Sequence, residues 1–271
     1  MLTTGPPSIA YIFSPCRTPL QWAVANVKPY TVESLLNHGA DLSSFVLLPE
    51  NEFTTRCDTD IDYLKYFKFS KASGALAILE SLEKRGYKVD DYALIIMKIF
   101  SSIKLFEKST YLQTRWYDDE KFASRAKKLK ILPRISRRDY NDISEVEKAK
   151  IETAMTPSLS LYDLMRLEPK EAIKILTYWD YHDLVRSKEL RRLPEEVMLH
   201  LYEKVPRVFC RRWALEYFFE LIHYRLPILC CYNIIDQLMN EDLCNICFAT
   251  TGQDPYSFSF LQPSVMTMEV V

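Results

Sequence analysis

The stretch that decides the fold is TPLQWAVANVKPYTVESLLNHGADL, residues 18–42. Thr18 followed by Pro19 is typical of a helix start, because threonine caps free backbone amides and proline suits the first helical position. Two apolar stripes follow at helical spacing, Leu20, Ala23 and Val24 in a first helix and Val32, Leu35 and Leu36 in a second. Gly39 then favours the left-handed conformation in which many helices end. The stretch therefore predicts a tight helix–turn–helix unit.

This order of residues resembles the ankyrin repeat, whose pattern is TPLHxA followed by a second helix that ends LLxxGAD. The matching residues are Thr18, Pro19, Leu20, Ala23, Leu35, Leu36, Gly39 and Ala40. Gln21 stands where the family has histidine. The resemblance implies that the matching residues shape the repeat and carry no chemistry.

A second, weaker copy of the repeat follows at ALAILESLEKRGYKVD, residues 75–90. Gly86 matches Gly39, 47 residues later, whereas the ankyrin period is about 33 residues. We therefore expect an insertion within 49–68 and a further helix pair over 92–108. Residues 1–108 should form a short, degenerate ankyrin stack.

The middle of the chain, residues 109–156, is highly charged, and Pro133 interrupts any helix there. We expect linker helices in this part, one of them over 118–130. The basic run KKLKILPRISRR at 127–138 is open to two interpretations, a solvated linker or a nuclear import or phosphate-binding patch. The linker interpretation is favoured because acidic residues nearby balance the charge.

Composition narrows the class of protein. The chain has 271 residues, 48% of them hydrophobic, with a net charge of −1 and only five glycines. Scarce glycine disfavours a doubly wound α/β enzyme and favours helices. The near-neutral charge gives no reason to expect nucleic acid or membrane as a partner. The most apolar window, 92–100, is too short to span a bilayer and contains Lys98.

The seven cysteines show no framework of paired spacings, and residues 1–15 lack the basic and apolar regions of a signal peptide. We therefore expect free thiols in a reducing compartment. The expected compartment is the cytoplasm, with the nucleus as the alternative.

From residue 157 onward helical patterns follow one another closely. The strongest is RVFCRRWALEYFFELIHYRL at 207–226, which we expect to be the core helix of a C-terminal lobe. Its aromatic residues, Trp213, Tyr217, Phe218, Phe219 and Tyr224, should be core rather than a base-stacking platform. Residues 251–271 lack periodicity and are predicted to be a flexible tail.

Four of the cysteines lie in LPILCCYNIIDQLMNEDLCNICFAT, residues 226–250. Ile228, Cys231, Ile234, Ile235 and Leu238 recur at helical spacing, and Asn240 is a candidate cap for the next helix. Zinc binding by Cys230, Cys231, Cys244 and Cys247 is disfavoured, because zinc thiolates usually lie on turns. The favoured interpretation is small apolar core residues. Cys57 and Cys210 lack the sequence signature of a catalytic nucleophile, and the four histidines are scattered along the chain.

The pattern LP…II…L…EDL…IC at 226–250 resembles the first half of an F-box. Together with SLSLYDLM at 158–165 and LPEEVMLHL at 193–201, it resembles the PRANC domain, which follows ankyrin repeats in poxviral and some insect proteins. The resemblance covers about 157–250. It departs from the F-box at Leu229, where an acidic residue is usual. The earlier copy at 193–201 could itself be the docking helix, but a packing role is favoured.

The resemblance implies an all-α protein with a short degenerate ankyrin stack and a helical PRANC or F-box-like lobe. It also implies a substrate-recruiting adaptor that docks on the Skp-type linker of a cullin–RING ubiquitin ligase and holds an unknown target protein. The implied linker contacts are Leu226, Pro227, Ile228, Ile235, Leu238, Asp242, Leu243 and Ile246.

Two other functions stay open: an ankyrin module that sequesters a signalling protein without ubiquitylation, and an eroded gene product without a partner. No phosphate loop, metal spacing or catalytic triad signature occurs. We therefore expect no enzyme activity, no metal and no cofactor.

Overall fold

The computed structural model describes residues 17–48, 53, 61–107, 120–131, 159–185, 190, 193 and 195–252. These residues are mostly helical, which confirms the all-α prediction at that level. The strands they contain are β1 (Lys130–Ile131) and β2 (Leu159–Ser160), which pair antiparallel. The helices are α1 (Pro19–Ala25), α2 (Pro29–Asn37), α3 (Ile61–Glu83), α4 (Asp90–Ser102), α5 (Glu120–Lys128), α6 (Leu161–Arg166), α7 (Pro169–Ile175), α8 (Tyr178–Leu184), α9 (Glu195–Lys204), α10 (Arg207–Leu221), α11 (Ile228–Gln237) and α12 (Asn240–Thr251).

The helix–turn–helix unit predicted at 18–42 is confirmed. The Thr18 hydroxyl accepts a hydrogen bond from the Gln21 amide at 3.2 Å, and the Gln21 side chain accepts one from the Thr18 amide at 2.9 Å. Leu20, Ala23, Val24, Val32 and Leu36 are buried and Leu35 is half-buried. Gly39 has φ +87°, a conformation that a side chain would disfavour. The sequence signals and the packing agree throughout this unit.

The second predicted repeat differs from the expected short helix. Residues 75–83 belong to α3, a single helix of 23 residues that also takes in 61–68 of the predicted insertion. The α3 sequence offers no proline to interrupt it. Gly74 lies inside α3, where a Cβ atom would come 3.3 Å from the His182 ring, so glycine there permits close packing rather than a turn. The rest of 49–60, apart from Phe53, lies outside the described residues.

The helix pair predicted over 92–108 is also different. One helix, α4, ends at Ser102, and the chain then turns through Lys104 at φ +51°. The Leu105 amide donates to the Phe100 carbonyl at 2.9 Å, which closes this turn. The apolar run therefore forms one buried helix and its turn.

Helices from both halves of the chain share one hydrophobic core. Helix α3 packs against α8 and α9, α4 packs against α12, and α12 packs along α10. In the predicted linker, α5 packs on α6 and buries Ala126 and Leu129. The rest of 109–156 and nearly all of the predicted tail lie outside the described residues, and the domain boundaries stay a prediction.

Candidate functional site

Exposed apolar side chains gather around α11. Among the described residues, eleven large hydrophobic side chains are exposed, and seven of these lie between positions 221 and 234. They are Leu221, Tyr224, Leu226, Ile228, Leu229, Tyr232 and Ile234. Single exposed apolar residues are normal, but a cluster of this kind usually marks an interaction site. This surface is therefore the candidate functional site.

Helix α11 lies against α10 and buries only Cys231 and Ile235. Since successive helical residues are about 100° apart, Ile228, Leu229 and Tyr232 lie within one arc of about 100° around the helix, and all three are exposed. Leu229 is the most exposed of them, at 71%. We call Leu226, Ile228, Leu229 and Tyr232 the α11 face. Ile234 points to a different side of the same helix.

Arg207 at the start of α10 fixes the end of α11. Its guanidinium donates to the carbonyls of Leu238 at 2.5 Å, Asp236 at 3.0 Å and Ile235 at 3.3 Å. These carbonyls lack helical partners, so the side chain caps α11. Burial lowers the pKa of Arg207, but a guanidinium remains charged at neutral pH. An ion pair between Arg211 and Asp236 adds a second link from α10 to α11.

The prediction that Asn240 caps α12 is wrong. The cap is Met239, whose amide donates to the Asp242 carboxylate at 3.1 Å. Asn240 is fully buried one position later, where its side-chain amide donates to the Glu203 carbonyl at 2.7 Å. Asn240 is therefore hydrogen-bonded to Glu203 of α9 and Arg207 of α10 and does not cap α12.

The implied linker contacts divide into three groups. Leu226, Pro227, Ile228 and Asp242 are exposed, Leu238 and Ile246 are half-buried, and Ile235 and Leu243 are buried. The structure brings Leu226, Pro227 and Ile228 together on the surface, whereas Ile235 and Leu243 hold α11 and α12 on the core. Leu229 and Tyr232 were missed. Tyr232 stands one helical turn after Ile228, which was the available signal.

The cysteines of 226–250 follow the core interpretation with one exception. Cys231, Cys244 and Cys247 are buried, whereas Cys230 is exposed. A hydrogen bond with Cys210, together with burial, raises the pKa of the Cys244 thiol, and burial raises the pKa of Cys247. The described residues contain no group of three or more His, Cys, Asp or Glu side chains placed to hold a metal ion.

Two other predicted features can be placed. In the earlier F-box-like stretch Leu193, Val197 and Leu201 are buried, and α9 packs on α3, which agrees with a packing role, although the helix it packs on belongs to the predicted ankyrin part and not to the PRANC-like lobe. Of the aromatic set, Trp213 is buried as predicted. The core prediction is wrong for Tyr224, which is 71% exposed because it lies beyond the end of α10 at Leu221. Its ring stacks on that of Phe219, with the ring centres 5.9 Å apart.

The N-terminal unit offers a smaller exposed surface. Trp22 is 49% exposed and Val46 67% exposed, and the Gln21 side chain donates to the Val46 carbonyl at 2.8 Å. The turn at Gly86 lies beside the turn at Gly39. Arg85 donates to the Asn37 side chain at 2.7 Å, and the rings of Phe45 and Tyr87 meet edge to face at 5.2 Å.

Within the described ranges, no helix combines the length and the apolar character needed to cross a bilayer. The resemblance to ankyrin repeats and to the PRANC domain remains an interpretation of the sequence. Comparisons with protein-family models, with curated proteins and with solved structures found no match to this chain.

Proposed function

We propose that the protein is a non-enzymatic adaptor that docks through the α11 face on the Skp-type linker of a cullin–RING ubiquitin ligase. The observation that carries the proposal is the exposure of this apolar face on a helix that Arg207 caps and that Cys231 and Ile235 anchor on the core. A helix that is already formed before binding needs little reordering, which favours affinity. Packing of an apolar helix face into a groove of the partner is also a common mode of protein recognition.

The sequence supports the choice of partner. Leu226, Pro227 and Ile228 belong to the F-box-like pattern and are exposed in the structure. Ile235 and Leu243 belong to the same pattern, but they are buried and cannot touch a partner in this conformation. Their role in the proposal is to position α11.

The N-terminal unit would hold the target protein. Its repeat-like features are the paired glycine turns at Gly39 (φ +87°) and Gly86 (φ +78°), joined by the contact of Arg85 with Asn37. The long helix α3 departs from the ankyrin pattern, so the proposed stack is at most a modified one. Trp22 is the candidate anchor for the target, since exposed tryptophan is frequent among residues that dominate binding energy.

The test is a binding titration of the purified protein with the purified Skp-type linker. The variant Leu226→Ala/Ile228→Asp/Leu229→Asp should bind about a hundredfold more weakly, because the anchors are lost. Ile234→Asp is the matched control, since Ile234 is exposed on another side of α11. It should bind within about threefold of wild type. No binding by wild type, or equal loss in the control, would overturn the proposal.

The second candidate function is sequestration of a signalling protein without ubiquitylation, favoured by the exposure of Trp22 and Val46 alone. Proteins that are captured by wild type but lost in Trp22→Ala define the target. Under the adaptor proposal, the target's cellular half-life shortens only when the α11 face is intact. Under sequestration the α11-face variant leaves both half-life and capture unchanged.

A further inference from the structure

A patch of cations without ion pairs covers α5 and the end of α6. Arg125, Lys127 and Lys128 are exposed on α5, and Arg166 is exposed on α6. None of the four makes an ion pair with any other residue that the structure describes. We call these four residues the α5–α6 patch. Positive charge is therefore concentrated locally in a chain whose net charge is −1.

Two cations of the patch converge on one aromatic ring. The Nζ atom of Lys127 lies 4.8 Å, and the guanidinium carbon of Arg166 5.6 Å, from the centre of the Tyr162 ring. The face of a tyrosine ring attracts cations, but the ring is neutral and does not cancel their charge. Two like charges are thus held near each other, and an anionic ligand would relieve their repulsion.

The acidic residues nearby are engaged elsewhere. Glu120 begins α5, seven residues or about 10 Å along the helix from Lys127. The carboxylate of Asp163 accepts a hydrogen bond from the N-cap amide of α6 at 3.2 Å. Glu168, beyond the end of α6, interacts electrostatically with Lys204 of α9. These carboxylates therefore leave the α5–α6 patch positive.

The core and a backbone contact hold the two helices of the patch together. Ala126 and Leu129 are buried where α5 packs on α6. The Leu161 amide donates to the Leu129 carbonyl at 2.9 Å, and β1 pairs with β2 directly beside this contact. The cations therefore project from a surface that is formed before any ligand binds.

The arrangement of the cations favours an extended ligand. Because successive helical residues are about 100° apart, Arg125, Lys127 and Lys128 are spread over an arc of about 160° around α5. A single phosphate group cannot contact all of them, whereas a chain of phosphates can. Among the described side chains of α5 and α6, no large apolar one is exposed, so the patch lacks the apolar centre of a protein–protein interface.

We propose that the α5–α6 patch binds the phosphate backbone of a double-stranded nucleic acid without reading its sequence. A duplex carries about one negative charge per 1.7 Å of its axis, and contacts of Lys and Arg with phosphates supply most of the affinity in binding of this kind. Tyr162 is half-buried under two cations and is not free to stack on an unpaired base. The proposal goes beyond docking through the α11 face and does not depend on it.

The probe is a fluorescein-labelled RNA duplex of about 20 base pairs, titrated with the full chain at several salt concentrations. Four phosphate contacts predict that the logarithm of the association constant falls with the logarithm of the salt concentration with a slope of about −3.5. Affinity should therefore fall about a hundredfold between about 50 and 200 mM salt. A duplex of unrelated sequence should bind within about threefold, because phosphate contacts carry no sequence information.

The variant Lys127→Gln/Lys128→Gln removes two of the four contacts. Its salt slope should fall to about −2, and its affinity at about 50 mM salt should fall at least about tenfold. The matched control is Lys104→Gln/Lys174→Gln, which removes the same charge from exposed lysines that pair with Glu107 and Glu171 outside the patch. The control should keep the wild-type slope. Circular dichroism establishes that both variants are folded.

A slope near zero for wild type, or an equal loss of affinity in the control, would overturn the proposal. Equally tight binding of poly-glutamate, or of vesicles of phosphatidylserine and phosphatidylcholine, would also overturn it, since the site would then not select a nucleic acid. The Lys127→Gln/Lys128→Gln variant should bind the Skp-type linker as wild type does. This inference and the proposed function can therefore fail separately.

Discussion

Helices α11 and α12 come from one stretch of similar composition, yet one is surface and the other is core. Helix α12 buries Asn240, Leu243, Cys244, Cys247 and Phe248 between α10 and α4. Helix α11 buries only Cys231 and Ile235 and exposes Ile228, Leu229 and Tyr232. The difference shows that apolar periodicity alone does not tell a core helix from a docking helix. The number of helices packed against each one decides whether its apolar residues are buried or exposed.

The largest effect should come from the core helix. Leu243→Ala removes a fully buried side chain, so the free energy of unfolding should fall by about 2–5 kcal/mol. Chemical denaturation measures it. A loss below about 0.5 kcal/mol would mean that α12 is not packed as described.

The next effect concerns the cap that holds α11. Arg207→Met removes the donor for the carbonyls of Ile235, Asp236 and Leu238, which should lower the free energy of unfolding by about 2–3 kcal/mol. In this variant, amide hydrogen exchange should become faster in α11 and stay nearly unchanged in α12. The matched control is Arg212→Met, whose exposed pair with Glu83 should contribute at most about 1 kcal/mol.

Thiol labelling compares the two helices directly. Cys230 on α11 should react with maleimide at least about tenfold faster than Cys244 and Cys247 on α12, because thiolates react only where reagent reaches them. Raising the pH to about 9 should leave the α12 thiols unreactive, since burial raises the pKa of Cys247 and keeps its thiol protonated. Mass spectrometry of digested protein reads each site. Early labelling of Cys247 would contradict the packing of α12.

The smallest effect on stability should come from the α11 face itself. Leu229→Ala should change the free energy of unfolding by no more than about 0.5 kcal/mol, because the side chain is 71% exposed. Thermal and chemical denaturation both test this. A loss of 2 kcal/mol or more would show that Leu229 is part of the core, which would remove the basis for a docking surface.

The sequence predicted local structure well where signals are chemical and nearby. Thr18 and Pro19 set the start of α1 and Gly39 follows the end of α2, and all of them act over a few residues. It predicted less well where tertiary contacts decide. Gly74 lies inside α3 because the ring of His182 approaches it closely, a contact that no local signal indicates. Asn240 has the chemistry of a cap, yet Glu203 and Arg207 engage it instead.

The candidate site was found only in part for the same reason. Leu226, Pro227 and Ile228 were identified from the F-box-like pattern, and their exposure agrees with a contact role. Ile235 and Leu243 share that pattern but lie inside, because α10 and α4 cover them. Only the arrangement of the helices separates the two groups, and no spacing in a single sequence encodes it.

The measurement that tests the central claim most directly is hydrogen exchange of the protein with and without the purified Skp-type linker, followed by mass spectrometry. The account predicts new protection in residues 226–238 when the linker is present, together with little change in α12, which its own core already protects. Protection confined to α1 and α2, or no protection anywhere at saturating linker, would contradict the claim that the α11 face is the docking surface.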